Sequence, residues 1–162
     1  MDPRVAPLAD ILRLNTKLFR NCLDGLADAT ARLRPSPTAN SAAFVAAHVA
    51  DSRFFLLRVV GGSQEKGPLA KWLDGAKGID DLKELPPLAD VQAAWTAASH
   101  ALRTQLDALT AQALDGPPSA RFPAGGATML SALTFLVQHD SYHVGQLALL
   151  RKQSGLPAMR YD

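Results

Sequence analysis

The residues best placed to do chemistry are His139 and His143, four apart in a segment otherwise rich in leucine, and His48, alone in an alanine- and phenylalanine-rich stretch. In a helix, positions four apart differ by about 40° around the axis and about 6 Å along it, so both imidazoles can reach one ion. Three neutral imidazoles hold a divalent cation at about 2.0–2.1 Å each and leave coordination positions for water or substrate, as in catalytic rather than structural sites. Zinc is the default ion for such donors, and nickel, iron and copper accept them too. A histidine pair at this spacing is weak evidence by itself, arising in roughly 7% of shuffled sequences of this composition. Weight comes instead from the positions of His48, His139 and His143 within apolar stripes. His100, the fourth histidine, falls on the outward face of its segment and is excluded as a ligand.

Other polar groups share these stripes. Gln146 follows His143 by three residues and can bond a ligand on the ion or be satisfied locally. Asp51, one turn beyond His48, is a candidate fourth ligand, a partner of a ligand, or a surface partner for Arg53 or Arg58. Asn15 interrupts the first apolar stripe and either faces the same cavity or fixes helix register. Cys22 has no basic neighbour in sequence to lower its pKa and reads as a small core residue. A ferritin-like di-iron centre needs several glutamates, and only Glu65 and Glu84 are present, both between helices. A zincin needs His-Glu-x-x-His, and the sequence has Asp140 where the glutamate belongs.

Four segments with helical periodicity must position these groups. The first runs from about Ala6 to Leu33, where Pro35 and Pro37 stop it. A second starts at an Asn40 or Ser41 cap and ends at Gly61-Gly62. Residues 63–87 carry Gly-Pro, Asp-Gly and Pro-Pro punctuation, with one short helical turn around Leu69, Trp72 and Leu73; they read as a crossover. A third helix covers about Leu88 to Leu109. The break GPPSARFPAGGA leads to a fourth, capped by Thr128 and running from about Met129 to Gln153. No strand-like alternation or internal repeat interrupts this pattern. The fold class expected is all-α, a four-helix bundle with a long crossover between helices two and three, forming one domain over residues 1–162.

The chain has 162 residues, 48% of them hydrophobic and 20% charged, with a formal net charge of +2. That balance suits a folded soluble protein and gives no basic patch for nucleic acid. No stretch approaches the ~18 apolar residues of a membrane span. The single cysteine and the absence of a signal-like leader make a cytoplasmic location the expectation.

Two segments carry a family resemblance: SAAFVAAHVADSRFFLLRVVGG, and TMLSALTFLVQHDSYHVGQLALLRKQSGLP with its His-x3-His pair and GLP exit. With them the chain resembles the DinB-like family of metal-binding four-helix bundles, which includes thiol-dependent transferases and relatives of mycothiol-dependent maleylpyruvate isomerase. The resemblance implies His48, His139 and His143 as ligands of one divalent ion, zinc or nickel foremost, and a homodimer. It also implies a low-molecular-weight thiol as cosubstrate in transfer to small electrophiles. Metal-assisted hydrolysis and a non-catalytic metal or small-ligand binding module are the competing functions.

Overall fold

A computed structural model describes residues 1–122 and 126–161. The described residues are all-helical, with no strand. Four long helices form the frame: α1 (Ala6–Leu23), α3 (Ala42–Val59), α5 (Leu88–Ala108) and α7 (Met129–Gln153). Between them lie the short α2 (Asp28–Ala31), α4 (Ala70–Leu73) and α6 (Ala111–Asp115), with a 3-10 turn at Ile79–Asp81. Ser41 and Thr128 cap α3 and α7, each accepting from the backbone N–H three residues on. The all-α bundle and its crossover are as expected.

The first helix ends ten residues short of expectation. Leu26 keeps the apolar period, but Asp24 turns extended and Gly25 adopts φ +71°, a left-handed conformation that glycine enters without steric cost. The chain then makes the single turn α2 before α3. The break at 116–127 also differs from a plain loop, because it is preceded by α6, capped by Thr110; its part at 123–125 lies outside the described residues.

The directions of the long helices follow from how the core divides. One cluster joins the end of α1 to the starts of α3 and α5 and the later part of α7. The other joins the start of α1 to the ends of α3 and α5 and the beginning of α7. Hence α1 runs parallel to α7, and α3 parallel to α5, the two pairs being antiparallel. Neighbours around the bundle are α1, α7, α3 and α5 in that order. Parallel α3 and α5 require the chain to travel back along the bundle, and residues 60–87 do this.

That return segment is anchored rather than loose. Leu69 is fully buried, and Trp72, Leu73 and Ile79 pack against the first core cluster. Gly67 lies so close to the Phe54 ring that a Cβ there would meet it at 2.5 Å. Arg34 reaches Asp80 at 2.5 Å, and Arg32 donates to the carbonyls of Leu85 and Pro86. The crossover therefore lies against the outer face of α3.

Between the two apolar clusters runs a buried polar layer. Arg53 (2% exposed) from α3 donates to both carboxylate oxygens of Asp140 (3% exposed) from α7, at 3.2 and 2.8 Å. Its guanidinium lies 3.4 Å from the ring centroid of Trp95 on α5 and also donates to Thr16 Oγ1 and Ser99 Oγ. Asn15 of α1 donates to Asp140 at 3.0 Å and Ser141 at 2.8 Å. All four long helices thus meet in one network.

Candidate metal centre

The buried centre of α7 is Leu133, Val137, Asp140, Val144, Leu147 and Arg151. The stripe holding His139, His143 and Gln146, expected at the core, lies one position to the side and is half-buried. It borders the seam with the antiparallel α3, where His48 is likewise half-buried. The imidazoles therefore sit at the edge of the bundle, where a small molecule can approach them.

Their ring edges converge. His139 Nε2 lies 3.3 Å from His48 Nε2 and 3.1 Å from His143 Nε2, and the three ligand atoms all fall within 4.8 Å of one another. Ring planes are inclined by 61° to 73°, so nitrogens meet rather than faces. Two donors at 2.0–2.1 Å from one ion stand about 3.3 Å apart at a tetrahedral angle and about 2.9 Å apart at a right angle. The two spacings from His139, 3.3 and 3.1 Å, fall in that range. Hydrogen bonding accounts for them less well, since His139 Nε2 carries a single proton or a single lone pair and faces two partners. The three histidines could thus hold a metal ion.

The surroundings favour the neutral, ligating form. Burial is the largest cause depressing the pKa of all three histidines; neighbouring imidazoles add to it at His48 and His139, whereas Gln146 and Asp140 oppose it at His143, and His48 falls from 6.5 to about 4. His143 Nδ1 lies 2.8 Å from Gln146 Oε1, and Gln146 Nε2 donates to Tyr142 Oη at 3.0 Å. With its amide so oriented, Gln146 accepts the Nδ1 proton and leaves the His143 Nε2 lone pair facing the other two rings. Gln146 thus bonds one of the three converging histidines directly.

The other expected residues fall elsewhere. Asn15 contacts Asp140 and Ser141 rather than an imidazole. Asp51 is half-buried on the face of α3 towards the crossover and stands outside the three-histidine group. Burial raises its pKa, and Arg58 opposes that rise. Arg53 is no surface partner for it, being committed to Asp140. His100 is exposed on α5. Cys22 is buried, which pushes its thiol up to about 11. The Arg53–Asp140 pair was not anticipated from the sequence; the signal was an arginine in the interior of a helix with scarcely a polar face.

Fold and site together define a helical bundle with three converging imidazoles on one inter-helical seam. A family model described as the DinB superfamily matches residues 11–147, and the chain belongs to that superfamily. A solved structure, the crystal structure of a conserved protein from Enterococcus faecalis, is similar with a TM-score of 0.72 and 16% identity. The match covers 94% of this chain and 96% of that one, which establishes a shared fold. Comparison with curated proteins finds no match.

Proposed function

We propose that His48, His139 and His143 hold one divalent ion, zinc or nickel foremost, and that the protein is a metal-dependent thiol S-transferase acting on small electrophiles. The convergence of three Nε2 atoms at a half-open seam carries this reading. A divalent ion there supplies Lewis acidity that lowers the pKa of a thiol. In the reaction the thiol sulfur forms a bond to the electrophilic carbon, the leaving group departs with its electron pair, and the thiol proton passes to water.

The chain's own residues favour an exogenous nucleophile. Cys22 is sealed in the core and remains a thiol. Asp140, the carboxylate next to His139 in sequence, is neutralised by Arg53 and bonded by Asn15, so it is a poor general base for hydrolysis. Neither a thiol nor a water activated by such an ion would need that base, so the preference for a thiol rests on the family resemblance. The expected homodimer and cytoplasmic location belong to the same reading and derive from the family resemblance and the cysteine content.

The decisive sequence of measurements begins with elemental analysis of freshly purified protein, for which about one divalent ion per chain is expected. The loaded protein should then consume an aryl or alkyl halide only when a low-molecular-weight thiol is supplied, and His139→Ala or His143→Ala should abolish both metal and turnover. Turnover without thiol would establish a hydrolase instead. Metal without any turnover would establish a binding module.

A further inference from the structure

Phe44, His48, Asp51, Phe55 and Arg58 follow one another along α3 at spacings of four, three, four and three, so they share one face. The crossover stands opposite, and between them is a cavity of about 280 Å³. His48 is a wall of this cavity as well as a member of the imidazole cluster. Phe44 and Phe55 give it apolar sides. Its charges are Asp51 and Arg58 from α3, and Lys77 from the crossover.

The fold engages these charges through longer-range electrostatics, with Arg58 and Lys66 acting on Asp51. Among the described residues neither Arg58 nor Lys77 forms an ion pair, and Asp51 accepts no hydrogen bond. Elsewhere in the crossover some charges are matched, Lys66 pairing with Asp74 at 2.6 Å and Arg34 with Asp80, while Glu65 and Lys83 form no ion pair among the described residues. Arg58 is steadied over the Phe55 ring at 5.4 Å, which holds a guanidinium at the cavity without consuming its hydrogen bonds. Two cations and one carboxylate thus surround a space sized for a small molecule. A ligand with only an anionic group would leave the half-buried Asp51 without a donor, and an apolar ligand would satisfy neither Asp51 nor the half-buried Arg58. The complement of this set is a carboxylate and an ammonium on one molecule.

We infer that the cavity beside His48 is a recognition subsite for the head group of a small amino-acid-like zwitterion. Arg58 and Lys77 receive its carboxylate, Asp51 receives its ammonium, and its remaining chain points past His48 toward the three-histidine site. The last element rests on the metal-dependent thiol reading above; the head-group recognition does not.

The test uses the full-length protein loaded with Co(II), titrated with L-cysteine, cysteamine and 3-mercaptopropionate while thiolate-to-cobalt absorption is followed. L-Cysteine should bind at least about tenfold more tightly than either truncated thiol. Arg58→Gln with Lys77→Gln should erase its advantage over cysteamine without changing cysteamine affinity, and Asp51→Asn should erase its advantage over 3-mercaptopropionate. Lys77 is exposed, so Lys77→Gln alone weakens L-cysteine binding without endangering the fold. Equal affinity for the three thiols, or a preference that survives these substitutions, would overturn the inference while leaving the metal reading intact. A second arm titrates S-methyl-L-cysteine calorimetrically into the metal-free protein, where binding should be present and lost in Asp51→Asn. If cobalt fails to bind but this arm succeeds, the metal reading falls and the subsite stands; absence of binding in this arm overturns the subsite.

Discussion

At the scale of single residues, the centre depends on which imidazole nitrogen carries the proton. Each histidine must present Nε2 as a lone pair, and a proton placed on Nδ1 by an acceptor secures that tautomer. Gln146 does this for His143, and Tyr142 accepts from the amide nitrogen to keep the amide the right way round. Removing such a partner costs a metal site about 10–100-fold in affinity. Gln146→Ala should therefore weaken metal binding by at least about tenfold, measured by competition with a chromogenic chelator, while the helical circular dichroism stays unchanged. Tyr142→Phe, which keeps the glutamine and removes only its orienting acceptor, should weaken binding less. Equal affinity in wild type and Gln146→Ala would show that His143 needs no help in choosing its tautomer.

At the scale of elements, the candidate metal ligands on α3 and α7 converge only if the two helices keep their register and rotation. The Arg53–Asp140 pair lies on the same two helices, with Asp140 adjacent to His139 in sequence and Arg53 five residues beyond His48. A buried pair is weak evidence of net stabilisation, because desolvation offsets much of its attraction, yet breaking one partner leaves the other charged and dry. Asp140→Asn should lower stability by roughly 3–5 kcal/mol in urea unfolding. The double variant Arg53→Met with Asp140→Leu should recover much of that loss, since no charge is then stranded. Should Asp140→Asn unfold at the wild-type midpoint, Arg53 must be solvated and the layer is not the clamp described. This pair also marks how far the sequence could be read. The convergence of the three histidines was legible because two of them stand one turn apart and the third interrupts an apolar stripe, patterns carried by local periodicity. Arg53 and Asp140 are 87 positions apart, and nothing local couples them. The end of α1 was missed for a related reason: Leu26 continues the apolar period past Gly25, and the period outweighed the one residue able to leave the helix. Asp51 and Arg58 could be placed on α3 from the sequence, but the cavity they share with Lys77 could not, because the crossover that supplies Lys77 has no periodicity to orient it.

At the scale of the whole molecule, the same burial that prepares the imidazoles for an ion makes folding sensitive to acid. Burial sets the folded pKa of His48 near 4, against an ordinary value of 6.5, and lowers His139 and His143 as well. Between those values the unfolded chain binds more protons than the folded one, so stability rises with pH through this window and levels off above about 6.5. The metal-free protein should accordingly lose thermal stability as pH falls from about 6.5 toward 4. Replacing His48 with Ala removes one of the depressed groups and should flatten the decline, which separates the histidine contribution from the titration of carboxylates shared by both proteins. An ion adds a second dependence of the same sign. It binds only neutral imidazoles in the folded state, so it stabilises by mass action at neutral pH and is displaced by protons in acid. Melting curves with and without zinc should show the largest increment at pH 7–8 and a shrinking one on acidification. In His48→Ala the increment should be small throughout. An increment independent of pH would mean that the stabilising ion sits on groups that do not titrate in this range, such as surface carboxylates, and not at the α3–α7 seam.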